Sequence, residues 1–256
     1  PAGHRLYGNN TYEADLGLRF QKPLMIMYAT FELKGKTYQA NLSKPLDISI
    51  PLKEGAAGVN CFYAPYLESS PVVAGDFVGA TAQGGPVNFL NVRINPHGNG
   101  THTECVGHIA REPYSINQCL KRFIYPARLI SLYPSKLENG DRVIEKSQLE
   151  EALEDTALTE ALVIRTMPND DHKLRTHYSG SNPPYLQHEG VSWLVEQGVQ
   201  HLLIDLPSVD REEDGGALSA HHAFWQYPEK PREECTISEL IYVNNSIADG
   251  LYLVNL

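Results

Sequence analysis

The chain reads as an α/β protein built on a single mixed sheet, and three observations carry that reading. β-prone apolar runs at 127–132, 161–166 and 201–206 alternate with helical stretches at 147–154 and 189–197. Strand–helix–strand order of this kind suits a sheet covered by helices. A further β-prone run, residues 236–243, closes the series. The front of the chain has the pattern of a β-hairpin instead.

Taken in order, residues 24–33 and 37–42 flank Lys34-Gly35-Lys36, which makes the hairpin. Residues 47–50 form a short strand that Pro51 ends. Residues 51–86 are rich in Gly, Pro and small side chains and read as a long functional loop region with little regular structure. Residues 87–94 form a strand that runs into the densest cluster of metal-binding side chains in the sequence. In the second half, Ser147 caps a helix and Glu150 completes its capping box. Gly198 stops the helix that begins near Glu189. No repeat, low-complexity tract or dividing linker is present, so the chain reads as one domain over 1–256, with 1–41 an N-terminal elaboration.

Hydrophobic residues at 42% and charged residues at 20% describe an ordinary soluble globule. The net charge of −10, from 21 basic and 31 acidic residues, argues against a nucleic-acid surface. No apolar run is long enough to span a membrane, and residues 1–10 lack the basic head and apolar stretch of a signal peptide. A cytoplasmic protein without membrane or nucleic-acid partners is expected, although no initiator Met is present to rule out a removed leader. Cys61, Cys105, Cys119 and Cys235 form no C-x-x-C pair and read as reduced, mostly buried thiols.

Residues 97–108, His-Gly-Asn-Gly-Thr-His-Thr-Glu-Cys-Val-Gly-His, hold three histidines and a carboxylate. On extended backbone His102, Glu104 and His108 share one face. His97 has the opposite parity, and a bulge at 98–100 would turn it toward the others. Imidazole with carboxylate suits Zn, Mn or Fe(II). The bland alternative is a polar strand end with solvent-facing histidines. Glu239 lies in the β-prone run, on a face shared with Ile237, Ile241 and Val243. A buried ionised Glu there needs a metal or an Arg partner. Of His221 and His222, on a helical stretch, only one can meet the site. Asp205, Ser208 and Asp210 follow a strand and suit loop-ordering or supporting roles. Phe62, Tyr63, Tyr178 and Trp225 could wall an aromatic pocket, with core packing as the alternative. His4, His172, His177, His188 and His201 lack carboxylates at ligand spacing and read as surface or loop residues. There is no G-x-S-x-G, G-x-x-x-x-G-K, H-E-x-x-H or strand-borne G-x-G-x-x-G, which removes the usual serine-hydrolase, NTPase and dehydrogenase readings.

The 97–108 segment resembles the H-x-G-T-H-x-D-x-P-x-H signature of the cyclase family of metal-dependent hydrolases, which contains bacterial kynurenine formamidase and isatin hydrolase. Gly100-Thr101-His102 matches G-T-H, Glu104 stands at the Asp and His108 at the last His. Residues 42–46 are similar to the family's opening strand and residues 205–210 to its D-x-x-S-x-D loop. Three departures stand out: the first His falls on Gly98 unless His97 replaces it through a one-residue insertion, Asp has become Glu104, and Pro has become Val106.

The resemblance implies a swivelling β/β/α type of domain. It implies one or two divalent ions, Zn or Mn, held by His102, Glu104, His221 and Glu239, with His97 as a further ligand and His108 as the proton-transferring residue. The substrate class it implies is an amide, formamide or cyclic imide cleaved at a C–N bond, as by an arylformamidase; the aromatic-pocket reading, apart from the resemblance, sets Phe62, Tyr63 and Trp225 as its substrate-binding residues. A homo-oligomer is implied as well. The rival readings are a non-catalytic metal-binding or scaffold homologue, and a lyase or isomerase that uses the same metal.

Overall fold

The computed structural model of the protein describes residues 26–154, 156 and 159–256. His4, residues 1–10 and the expected start of the hairpin at residues 24 and 25 lie outside them. The chain divides into two compact units, Pro1–Pro45 and Leu46–Leu256. In the first, Tyr28–Leu33 pairs antiparallel with Lys36–Asn41, closing on the Leu33–Lys36 pair. Lys34 and Gly35 take φ of 49° and 73°, the two left-handed positions of a tight hairpin turn.

The second unit is organised by a six-stranded sheet. Its order is Gly250–Asn255, Ile124–Leu132, Ala161–Thr166, His201–Ile204, Thr236–Glu239, His102–Glu104. The four inner strands are parallel, and each outer strand is antiparallel to its neighbour. Ala161–Thr166 is buried along its whole length, which explains why its first four residues are apolar without alternation. Its even positions, Leu162 and Ile164, pack with Leu202, Ile204, Leu194 and Phe224. Ala161 and Val163 point the other way, to Leu129, Leu203 and Ile241. Fully burying each large aliphatic side chain contributes about 1.5–3 kcal/mol.

Three helices cover the first face: Lys146–Leu153, His188–Glu196 and Ser219–Trp225. The first is capped by Glu145, not Ser147. Glu145 and Gln148 form the reciprocal box, with the Glu145 amide donating to Gln148 Oε1 at 3.0 Å. The helix thus starts from the Glu145/Gln148 pair, two residues before the expected Ser147 cap. Past the second helix, Gly198 takes φ 90° and its amide bonds Val195 O, as expected of a helix-ending glycine.

Two strand expectations need correction. Residues 47–50 form no strand, because their backbone is spent elsewhere: Ile48 O accepts from Tyr242 N and the Ile50 amide donates to Thr101 Oγ1 at 2.8 Å. The last parallel strand ends at Glu239, since Leu240 takes φ 52°. That left-handed residue breaks the alternation. Ile237 packs with the helices while Ile241 and Val243 pack beneath the sheet, so they do not share a face. The 51–86 region holds only short pieces of regular structure, such as Glu68–Pro71, which pairs with Leu90–Arg93.

Candidate metal centre

Six side chains converge where the Thr236–Glu239 and His102–Glu104 strands end side by side. Their register sets Glu239 opposite His102 and Ile237 opposite Glu104. His102 Nε2 lies 3.5 Å from Glu239 Oε2 and 4.0 Å from Glu104 Oε2. His221, on the Ser219–Trp225 helix, brings Nε2 to 3.1 Å from Glu104 Oε1 and 3.8 Å from Glu239 Oε1. His97 Nδ1 and His108 Nδ1 approach Glu104 Oε2 at 3.2 and 3.4 Å. Glu104, Glu239, His102 and His221 are buried, whereas the side chains of His97 and His108 keep 41% and 31% of their exposure, so the centre opens on their side.

The backbone reaches this arrangement differently from a strand with a bulge. Pro96–Asn99 is one helical turn, started by Asn95, whose side chain accepts from the Gly98 amide at 3.0 Å, with Pro96 at its first position. That turn, not a bulge at 98–100, carries His97 to Glu104. The Asn-Pro pair is a helix-start signal that could have been read in the sequence. Likewise His108 sits on a short 3-10 turn, Val106–His108, and not on extended backbone. A Cβ on Gly107 would stand 2.2 Å from Tyr114 O, which keeps that position glycine.

Each buried imidazole is oriented by a partner at its other nitrogen. His102 Nδ1 donates to Gly100 O at 3.0 Å, leaving the Nε2 lone pair directed into the centre. His221 Nδ1 is 2.5 Å from Asp210 Oδ2, and Asp210 also accepts from the Ala220 and His221 amides. A carboxylate behind a histidine in this way fixes the tautomer and raises the basicity of the inward nitrogen. Glu239 Oε1 accepts from the Val209 amide at 2.9 Å. Of the four buried side-chain atoms left with no hydrogen-bond partner among the described residues, two lie in this centre, His102 Nε2 and Glu104 Oε2. Buried polar atoms are rarely orphaned, and both point to the same small volume. Among the described residues, His97, Glu104 and His108 form one set able to hold an ion, and His102, Glu104 and Glu239 another. The residues present therefore fit a divalent cation, with Glu104 common to both sets.

Electrostatics support the fit. Burial pushes the Glu104 carboxyl up, but the His221 hydrogen bond and the other imidazoles close beside it outweigh that and hold its pKa at about 2. Burial and the neighbouring Glu104 charge raise Glu239. Burial disfavours the charge on His221, yet Asp210, Glu104 and Glu239 lift it to about 10. Burial lowers His108 to about 4; Glu104 opposes that and the other imidazoles reinforce it. A proton on His221 Nε2 and a metal ion compete for one lone pair, so ion binding here releases protons.

The remaining candidates sort by position. His222 faces away, its Nδ1 2.8 Å from Tyr227 O. Trp225 is fully buried, 5.5 Å from the His221 ring, and its indole N–H donates to Cys235 O. It backs His221 from the core and lines no substrate space, which corrects that expectation. Tyr178 is a core residue beside Cys61 and Leu240. Phe62 and Tyr63 are exposed, on a turn whose Cys61 amide bonds Gly98 O next to His97. Asp205 is buried and accepts from Lys173 Nζ and Thr166, an ordering role. His172, His177 and His188 are exposed as expected, but His172 does have carboxylates within ligand reach, the exposed Asp170 and Asp171, and His201 is buried, with Nδ1 2.8 Å from Thr236 Oγ1. The four cysteines are free and buried.

Fold and centre together define the class: an α/β protein whose mixed sheet ends in an imidazole–carboxylate cluster able to hold a divalent ion. The family model Cyclase, described as "Putative cyclase", matches residues 42–211, and the chain belongs to that family. No curated protein sequence matches it. Among solved structures it is similar to an isatin hydrolase bound to the product analogue thioisatinate, at 13% identity and TM-score 0.57 over 80% of this chain and 82% of that one. Isatin hydrolase A from Labrenzia aggregata gives 13% and 0.53 over 80% and 82%. A predicted metal-dependent hydrolase from Bacillus stearothermophilus gives 13% and 0.52 over 81% and 86%. At such identity these likenesses establish the shared fold. Among the described residues, no helix is long and apolar enough to cross a membrane.

Proposed function

We propose that this protein is a metal-dependent hydrolase that cleaves a C–N bond of an amide, formamide or cyclic imide-like substrate, in the manner of an arylformamidase. The observation that carries the reading is the pair of orphaned buried atoms, His102 Nε2 and Glu104 Oε2, aimed into one cluster with His221 and Glu239. In this reading His102, Glu104, His221 and Glu239 hold the ion, with His97 as a further ligand. When bound, a divalent ion supplies Lewis acidity that lowers the pKa of water from about 15.7 toward 7 and polarises a carbonyl. Zn and Mn both suit the donor set.

His108 supplies proton transfer. Burial keeps its imidazole uncharged at pH 7, and a ring nitrogen is the site that accepts the proton in this reading. Its partial exposure places it toward the open side of the cluster. It takes the proton of the attacking water and returns it to the departing nitrogen, a role that typically contributes about 10²–10⁴-fold. Phe62 and Tyr63, exposed beside the His97 turn, supply the apolar surface for the substrate. The family resemblance supports a homo-oligomer, which a solution mass measurement checks.

The test uses protein purified without chelator. Metal content is measured first, then hydrolysis of an N-formyl arylamine and a cyclic imide in ¹⁸O-water. Chelator-reversible turnover with ¹⁸O in the acid product supports the reading. Bound metal without turnover supports the non-catalytic alternative, and turnover without ¹⁸O supports a lyase or isomerase.

A further inference from the structure

Three consecutive side chains beyond the His201–Ile204 strand each hold a different part of the structure. Asp210 orients His221. Arg211 Nε donates to Asp141 Oδ2 at 3.0 Å, and Asp141 also accepts from Asn182 Nδ2 at 2.8 Å and the Tyr185 hydroxyl at 3.0 Å. Glu212 accepts from the Gly180 amide at 2.7 Å and from the Asn182 amide at 3.2 Å. The turn at 179–182 is thereby gripped at its backbone by Glu212 and at its Asn182 side chain by Asp141.

That turn in turn supports Phe62 and Tyr63. The Tyr63 amide donates to Ser179 Oγ at 2.8 Å. Gly180 leaves room for the phenol, since a Cβ there would stand 2.9 Å from the Tyr63 hydroxyl oxygen. Phe62 and Tyr63 take φ of 55° and 52°, two consecutive non-glycine residues in the left-handed region. Such conformations persist where surrounding contacts over-determine them, and they cluster at ligand clamps. Here both side chains are exposed, Tyr63 at 76%, so the strained turn gains little packing in return. It lies directly on the backbone that carries His97: Cys61 N bonds Gly98 O at 2.9 Å, and a Cβ on Gly98 would stand 2.4 Å from Ala64 Cβ.

We infer that Glu212 is a positioning residue for substrate specificity: through the 179–182 turn it holds Phe62 and Tyr63 in their left-handed conformation as an aromatic clamp beside the His97 turn. This rests on the hydrolase reading. Glu212 touches neither the ion-binding cluster nor the substrate, so its effect falls on binding of aromatic substrates and not on metal or chemistry. The same three-residue segment that orients His221 therefore also orders the substrate rim.

The test compares Glu212→Ala and Glu212→Gln with the wild-type protein, each purified with its metal. In Glu212→Ala, metal content stays unchanged while amide exchange in segments 178–182 and 61–64 quickens by about tenfold or more. KM for an N-formyl arylamine rises about tenfold with kcat within about twofold, and KM for an aliphatic formamide does not move. Glu212→Gln, which keeps one acceptor, recovers most of the loss. Faster exchange confined to 178–182, or equal KM changes for aromatic and aliphatic substrates, overturns the inference. If the wild-type protein hydrolyses no amide, the hydrolase reading fails and calorimetric binding of benzoate decides instead. Roughly tenfold weaker benzoate binding by Glu212→Ala supports the clamp; equal affinity, or none in the wild type, overturns it. Tyr63→Gly gives a second arm. Relief of the left-handed strain leaves its unfolding temperature no lower than wild type while aromatic binding weakens, and lower stability with unchanged binding overturns the proposal.

Discussion

Glu239 sits directly across the antiparallel ladder from His102, with the imidazole Nε2 3.5 Å from its carboxylate. Two strands far apart in sequence thus bring a carboxyl group and an imidazole into one buried pair, which neither strand end could do alone. Glu239→Gln keeps the oxygen that accepts the Val209 amide and removes only the charge. Metal affinity is expected to fall by more than the roughly 10–100-fold that loss of a supporting hydrogen bond costs. The metal-free fold is expected to be at least as stable, because a buried charge has gone. Metal titration together with thermal unfolding in chelator checks both. A variant that keeps full metal and is merely less stable would show that Glu239 is a structural carboxylate.

Behind the other buried imidazole, Asp210 bonds His221 Nδ1. Asp210→Asn replaces an acceptor oxygen with an amide and weakens the hold on the tautomer. Metal affinity is expected to drop by about 10–100-fold, with the overall circular dichroism unchanged. Unaltered affinity would place Asp210 solely in the service of the helix start, where it also accepts the Ala220 and His221 amides.

His97 and His102 differ in exposure and support. The His102 side chain is 6% exposed and braced by Gly100 O, whereas that of His97 is 41% exposed. His102→Ala is expected to abolish metal binding, and His97→Ala to reduce it only in part. Elemental analysis of both variants decides, and equal loss would make His97 a full partner in the ligand set.

For His108→Ala the expectation is retained metal with kcat toward an amide lowered by about 10²–10⁴-fold. An activated ester, whose leaving group needs no proton, should be affected much less. Parallel loss of metal and of both activities would move His108 into the ligand set, which its position 3.4 Å from Glu104 Oε2 also permits.

His201 provides a pH signature away from the metal centre. Burial, reinforced by Arg122 and Arg232, lowers its pKa from 6.5 to about 4. Between those values the unfolded chain binds a proton that the native protein does not. Stability is therefore expected to fall as the pH drops from about 6.5 to 4, with a slope of up to about 1.4 kcal/mol per pH unit. His201→Gln should flatten that part of the profile, as measured by urea unfolding in chelator. An unchanged slope would show that His201 does not titrate there.

The sequence by itself determined the buried parallel strands and most of the residues that converge in the candidate centre. The short apolar stretch Ala161–Ile164, rich in β-branched residues, suits a strand covered on both faces, and a dense His/Glu segment is chemically unusual wherever it folds. It also marked Asp205, Ser208 and Asp210 together for supporting or loop-ordering roles, and of these Asp210 bonds a histidine of the centre while Asp205 holds Lys173. What it could not decide depended on contacts made from elsewhere in the chain. His221 and His222 have equal local claims, and only the docking of the Ser219–Trp225 helix turns the former toward Glu104. Leu240 at φ 52° ends the Glu239 strand and reverses the faces that alternation implied. Trp225 became core because Phe224, Cys235 and the sheet close around it. Periodicity reports how a segment meets one neighbour, whereas the centre is set by three segments meeting at once. Its geometry therefore became definite only when the Thr236–Glu239 and His102–Glu104 strands paired and the helix docked beside them.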